Sequence, residues 1–142
     1  MKLRLHIGTE KTGTTSLQLW ADINRSRLAQ QGFCYPRLFG VDNHRNLAVA
    51  AMDPAQPDEG FIERNIRSQG DHATYVTMLL AALDREISAN ADKHTWLISN
   101  EHLHSRLVTS RMVERVRDIM APRFDAITVV IHLRPQVDVA VA

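Results

Sequence analysis

Polar and apolar residues alternate from Lys2 to Ile7, a period of two that predicts a strand with its apolar side chains on one sheet face. From Thr14 the period lengthens. Leu17, Trp20, Ala21 and Leu28 fall near one face of a helix running to about Gln31, with Asp22, Arg25 and Arg27 away from it, and Gly32 supplies the stop. Phe33 to Tyr35 before Pro36 reads as a short second strand, because a proline favours an extended residue ahead of it. Residues 36 to 43 form a loop, and Asn43 is expected to cap a short helix through Met52. Asp53 to Gly60, with two prolines and a glycine, reads as a connector or flap, and residues 61 to 70 carry no clear period. Val76, Leu79, Leu80, Leu83 and Ile87 then mark a long helix, with Asp71 as its expected cap.

Thr95 to Ser99 predicts a third strand. Thr109 to Ala121 predicts a helix with Met112, Val113, Val116, Ile119 and Met120 on its apolar face, ended by Pro122. Ala126 to Leu133 is the most strongly β-branched segment and is expected to be a central strand buried on both faces. Strands that alternate with helices imply an α/β fold, a parallel sheet of about four strands with helices on both faces.

Between the first strand and the first helix lies Gly8-Thr9-Glu10-Lys11-Thr12-Gly13-Thr14-Thr15. A strand that ends in a glycine loop and reopens as a helix converges backbone N–H groups on one point, which is an anion site. The two glycines have P-loop spacing. The nucleoside-triphosphate pattern, however, wants a lysine directly after the second glycine. Here Thr14 holds that slot and the lysine stands three residues earlier, at Lys11.

Composition narrows the function classes. With 142 residues, 44% of them hydrophobic, the chain is expected to form one domain with a real core. A net charge of +1 gives no field that would imply nucleic acid. The single cysteine, Cys34, reads as a small buried residue and fits a reducing compartment. No apolar run approaches membrane-spanning length, and the protein is expected to be soluble and cytoplasmic. Trp20, Trp96 and the methionines at helical spacing read as core.

Ligands of parallel α/β sheets collect at the carboxyl ends of strands. Besides the Lys11 loop, two strand ends carry chemistry: Asn100-Glu101-His102 after the third strand, and Arg134 after the fourth. A carboxylate can serve as general base where burial raises its pKa, and a neutral imidazole serves as it stands. Glu101 is preferred over His102 because it comes first after the strand. Arg134 offers a bidentate phosphate ligand, or alternatively pairs with Asp138. Its positive charge also removes an acid from a strand end where a magnesium-dependent nucleotide hydrolase would use one. Glu101, His102 and His104 form a weaker metal-cluster pattern, unsupported by any two-histidine helical motif.

The loop as it stands, EKTGTTSLQ, resembles the 5'-phosphosulfate loop of sulfotransferases that use 3'-phosphoadenosine-5'-phosphosulfate (PAPS), where it reads close to PKSGTT or RKTGTT. The lysine of that loop corresponds to Lys11. HLRPQVDVAVA is similar to the family's 3'-phosphate motif, with Arg134 on its arginine, Asp138 and Val139 on the form RNAKDVAVS, and Ala142 where the family has a serine. The pattern LxxxGFxYP is also similar to bacterial members. The resemblance covers most of the chain, but only the phosphosulfate loop is specific. It implies a P-loop-like fold and transfer of a sulfuryl group from PAPS to a hydroxyl or amine acceptor without a metal. Lys11, Thr12, Gly13, Thr14, Thr15, Ser16 and Arg134 would hold the nucleotide, and Glu101 or His102 would be the base. It further implies that the chain corresponds to the family's N-terminal portion, or to a short relative that has lost the C-terminal part, and that by itself it is expected to bind the nucleotide weakly and show little or no transfer. A non-catalytic nucleotide-binding or interaction domain on the same loop, and a kinase-like phosphoryl transferase, are the alternatives. Neither the acceptor nor the oligomeric state is legible.

Overall fold

The computed structural model describes residues 1–41 and 43–135. In chain order the elements are β1 (Lys2–His6), α1 (Thr14–Ile23), α2 (Arg25–Gln30), β2 (Phe33–Cys34), α3 (Arg45–Ala51), α4 (Glu59–Glu63), α5 (Gln69–Ala89), β3 (Thr95–Ser99), α6 (His102–Ser105), α7 (Ser110–Met120) and β4 (Ala126–Val130). The four strands form an all-parallel sheet in the order β2-β3-β1-β4. The fold is α/β, as the alternation of strand and helix patterns predicts.

Strand alternation sorts the sheet into two unequal faces. Leu3, Leu5, Trp96 and Ile98 point to one side and join the main core with residues of α3, α5 and α7, including Leu47, Leu83, Val116 and Met120. Phe33 and Leu97 point to the other, where they meet Ala21, Leu28 and Tyr35 from α1, α2 and the end of β2. The first cluster holds most of the buried apolar area. Fully burying a leucine or phenylalanine contributes roughly 1.5–3 kcal/mol, so the sheet face covered by α3, α5 and α7 carries most of the fold's hydrophobic stabilisation. Cys34 is buried within it, and burial pushes its thiol up to about 12.

β4 departs from the sequence expectation. It is an edge strand, paired among the described residues only with β1, while β1 and β3 occupy the sheet centre. Val129 is 57% exposed and Leu133 75%. The β-branched run reports a capacity for burial, but burial needs covering elements, and the described residues supply none on the far side of this strand. On the α7 side, an apolar cavity of about 340 Å³ opens between Val113, Val116 and Met120 and the strand residues Leu5, Ile127 and Val129. Val113 is accordingly exposed rather than packed.

The other differences are local. The helix expected over Thr14 to Gln31 is two helices broken at Asn24 (φ −96°, ψ 13°), whose backbone N–H (3.1 Å) and side-chain Nδ2 (2.8 Å) both donate to the Trp20 carbonyl. Gly32, at φ 82°, does end the second. Trp96 is fully buried, but Trp20 is 54% exposed. The long helix starts three residues earlier than expected and is capped by Ser68, whose hydroxyl accepts from Asp71 N–H at 3.1 Å. Asp71 is instead in the first turn, where its carboxylate takes the Arg67 N–H. α4 begins inside the segment expected to be a connector, where Asp58 caps it by accepting the Gly60 N–H, and α6 is too short to show a period. Among the described residues no helix is long and apolar enough to cross a membrane.

Candidate functional site around the glycine loop

The loop between β1 and α1 turns on positive-φ positions: Gly8 at 101°, Lys11 at 61° and Gly13 at 84°. Gly8 is needed for space as well. A Cβ there would lie 3.1 Å from the Glu101 backbone, so the loop starts by passing directly against the end of β3. Thr12 closes the turn by donating its hydroxyl to the Thr9 carbonyl at 2.6 Å. The first helical bonds of α1 run from Ser16 and Leu17 N–H to the Gly13 carbonyl. Ahead of them, the N–H groups of residues 10 to 15 have no acceptor among the described residues. A ten-residue helix that begins with a run of unpaired donors presents concentrated positive potential.

Both neighbours of β1 reach this loop. On the β4 side, Thr9 N–H donates to the His132 carbonyl (3.0 Å) and His132 N–H to the Gly8 carbonyl (2.7 Å), which extends the β1–β4 pairing into the loop. Two residues on, Arg134 donates from Nη1 to the Lys11 carbonyl at 2.6 Å. That contact fixes Arg134 beside the loop and leaves the Lys11 side chain exposed, without an ion pair among the described residues. Asp138, Val139 and Ala142, which complete the 3'-phosphate resemblance, lie outside the described residues.

On the β3 side the side chains are held from below. Gln18, buried on α1, donates from Nε2 to Glu101 Oε2 at 2.7 Å and to Ser99 Oγ at 3.2 Å. Ser99 Oγ lies 2.8 Å from His6 Nδ1, whose ring stands 4.9 Å from that of His132. Burial, then the neighbouring His132, depresses the pKa of His6 below the usual imidazole value, and its Nε2 has no hydrogen-bond partner among the described residues. The chain Glu101, Gln18, Ser99, His6 thus ties one carboxylate oxygen to the floor of the sheet.

His102 faces elsewhere. Its Nδ1 is 3.7 Å from Glu10 Oε1 of the loop, and burial, followed by the charge of Arg45, lowers its pKa. It is therefore a neutral imidazole at pH 7, the form a base needs. His104 is exposed, and no group of three or more metal-type ligands gathers among the described residues.

The wall beyond is set by a histidine the sequence did not single out. His44 Nδ1 accepts from Ser99 N–H (2.9 Å), its own N–H donates to the Ser99 carbonyl (3.0 Å), and Nε2 lies 2.8 Å from the Pro36 carbonyl. Since Nδ1 is an acceptor, Nε2 carries the proton. His44 thereby fastens the loop after β2 to the end of β3. Asn43 assists: its Oδ1 accepts from Arg45 N–H (3.0 Å) and from Asn100 Nδ2 (3.1 Å).

The fold thus brings together Lys11, Thr12, Gly13, Thr14, Thr15, Ser16, Arg134, Glu101 and His102 around one loop. Gln18, Ser99 and His6 were missed by sequence reasoning. The available signal was a polar residue in an inward slot, since Thr14, Gln18 and Ala21 share the buried face of α1. No family model matches the chain, and neither a curated protein nor a solved structure matches it.

Proposed function

We propose that the chain binds PAPS at the glycine loop and belongs to the machinery of sulfuryl transfer to a hydroxyl or amine acceptor. The observation that carries this reading is the position of Lys11, exposed in a loop whose N–H groups from residue 10 to 15 are unpaired among the described residues, with threonine where a nucleoside-triphosphate loop has its lysine. Backbone donors and the helix N-terminus would hold the 5'-phosphosulfate. Arg134, already against the loop, would turn to the 3'-phosphate.

In the transfer step an acceptor oxygen forms a bond to sulfur while the bond from sulfur to the bridging oxygen breaks. Adenosine 3',5'-bisphosphate leaves with that electron pair, and Lys11 stabilises the charge that develops on the bridging oxygen. The acceptor proton passes to Glu101 or His102. Glu101 has the better-fixed carboxylate through Gln18, and His102 the neutral ring beside Glu10. No magnesium is required, because a sulfuryl group carries less charge than a terminal phosphoryl group.

One observation favours the phosphoryl-transfer alternative. β3 is a neighbour of β1, so Glu101 is an acid at a strand end beside the loop even though Arg134 is not. Magnesium dependence separates the two. In titration calorimetry, adenosine 3',5'-bisphosphate should bind equally well with and without magnesium, and Lys11→Ala should weaken it by about tenfold or more. Equal affinity in wild type and variant would remove the loop from the account.

A further inference from the structure

Gln18 is buried, 4% exposed, on the face of α1 that it shares with Thr14 and Ala21. An amide in that position is costly unless its hydrogen bonds are made. Its Nε2 makes them to Glu101 Oε2 at 2.7 Å, to Ser99 Oγ at 3.2 Å and, at the limit of length, to the Ser99 carbonyl at 3.5 Å. A carboxylate and a carbonyl only accept, so the nitrogen of the amide must be the atom that faces them. The shortest of these bonds goes to the charged partner, and a bond of that kind is about twice as strong as one between neutral groups.

The grip on Glu101 is one-sided. Oε2 is held by Gln18, while Oε1 makes no hydrogen bond among the described residues and keeps solvent access. The root of the side chain is confined as well, because Gly8 passes so close that a Cβ there would lie 3.1 Å from both Cα and Cβ of Glu101.

The kind of partner matters as much as the contact. Asp22 pairs with Arg25 (2.6 Å), Asp58 with Arg45, Glu59 with Arg45 and Arg106 (3.3 and 3.2 Å), and Glu63 with Arg64 (3.1 Å). A guanidinium beside a carboxylate strongly favours the charged form and makes it a poor proton acceptor. Glu101 has no ion pair among the described residues and is held by a side chain without net charge. A neutral donor fixes the geometry at a smaller loss of basicity.

We propose that Gln18 is the positioning residue of Glu101, holding Oε2 so that Oε1 is left as the open, proton-accepting oxygen beside the glycine loop. Calling that oxygen the base of transfer rests on the sulfuryl-transfer reading, whereas the control of Glu101 by Gln18 does not.

The test follows the Glu101 side-chain carboxyl carbon and the Gln18 side-chain amide by NMR against pH, in the isotope-labelled wild type, Gln18→Met and Gln18→Glu. In wild type alone, a Gln18 amide proton should shift with the same midpoint as the Glu101 carboxyl carbon. Gln18→Met keeps the length of the side chain and removes the donor, so the Glu101 carboxyl should titrate about half a pH unit or more above its wild-type midpoint. Gln18→Glu sets two carboxylates at hydrogen-bond distance, and they should share one proton and titrate in steps separated by about one pH unit or more. The charge of Glu101 acts on His6 of β1 and on His102 of α6, and the loop beside it carries Glu10 and Lys11; all four stay in place in both variants. A side chain that only fills space would leave the Glu101 midpoint unmoved in Gln18→Met. That result, or separate midpoints for the two groups in wild type, overturns the proposal. If Glu101 is the base, Gln18→Met should also lower kcat in a PAPS-dependent assay by about tenfold or more, with the affinity for adenosine 3',5'-bisphosphate within about twofold of wild type. An unchanged kcat beside a shifted midpoint would take the base role from Glu101 and leave its control by Gln18 standing.

Discussion

β3 and β4 are the two neighbours of β1, and each brings a charged side chain beside the same loop, yet they are built differently. β3 is buried along nearly its whole length and ends in Ser99 and Asn100, both buried and both tied by hydrogen bonds to other elements. β4 has no buried residue and ends near an arginine whose recorded contact is a loop carbonyl. A base must hold its geometry to within a fraction of an ångström, whereas an anion clamp must move to close on its ligand. Under the proposed function, the buried strand end carries the base, Glu101, and the exposed one carries the phosphate ligand, Arg134.

The largest effect that could break this contrast is on stability. Trp96 is fully buried in β3 and packs edge-on against Phe124 with ring centroids 5.7 Å apart. Trp96→Ala should cost about 3–5 kcal/mol in denaturant unfolding, against less than about 1 kcal/mol for Val129→Ala on β4. Similar costs for both would mean that β4 is packed as firmly as β3.

Next comes rate. In a PAPS-dependent transfer assay Glu101→Gln should lower kcat on the order of a hundredfold, and far more than His102→Asn. The reverse ranking would move the base to His102. Two mild effects would detach β3's end from the chemistry.

The smallest effect is the pH response of the β3 floor. His6 has a depressed pKa in the folded protein, so the unfolded chain takes up its proton first, from about pH 6.5 downwards. Its contribution to stability is full above that pH and is lost as pH falls through the lower, folded value. The melting temperature should therefore drop between about pH 7 and 5, before carboxylates titrate, and His6→Asn should flatten the drop. A flat wild-type curve over that range would contradict the burial of a neutral His6.

Much of this was legible in the sequence. Strict alternation marked β1, the β-branched run marked β4, Thr95 to Ser99 already read as a strand, and the glycine spacing marked the loop with Lys11 in it. What the sequence could not reveal was neighbourhood. A β-branched run is compatible with a centre or an edge, and only the strand order assigns β4 to the edge. The break at Asn24 is one residue leaving helical dihedrals, a difference too small for periodicity to register. The roles of Gln18 and His44 come from contacts spanning more than fifty residues. Short helices such as α6 form because the chain turns away from β3, and four residues carry no period of their own.

The central claim is that the loop is built for a 3'-phosphorylated adenosine phosphosulfate rather than for a nucleoside triphosphate. Its most direct test is a head-to-head comparison of affinities in the wild-type chain, adenosine 3',5'-bisphosphate without metal against ATP with magnesium. The account predicts that the bisphosphate binds more tightly by about tenfold or more, since Arg134 has a 3'-phosphate to hold in one ligand and none in the other. Tighter binding of ATP with magnesium would contradict it and hand the loop, with Glu101, to phosphoryl transfer.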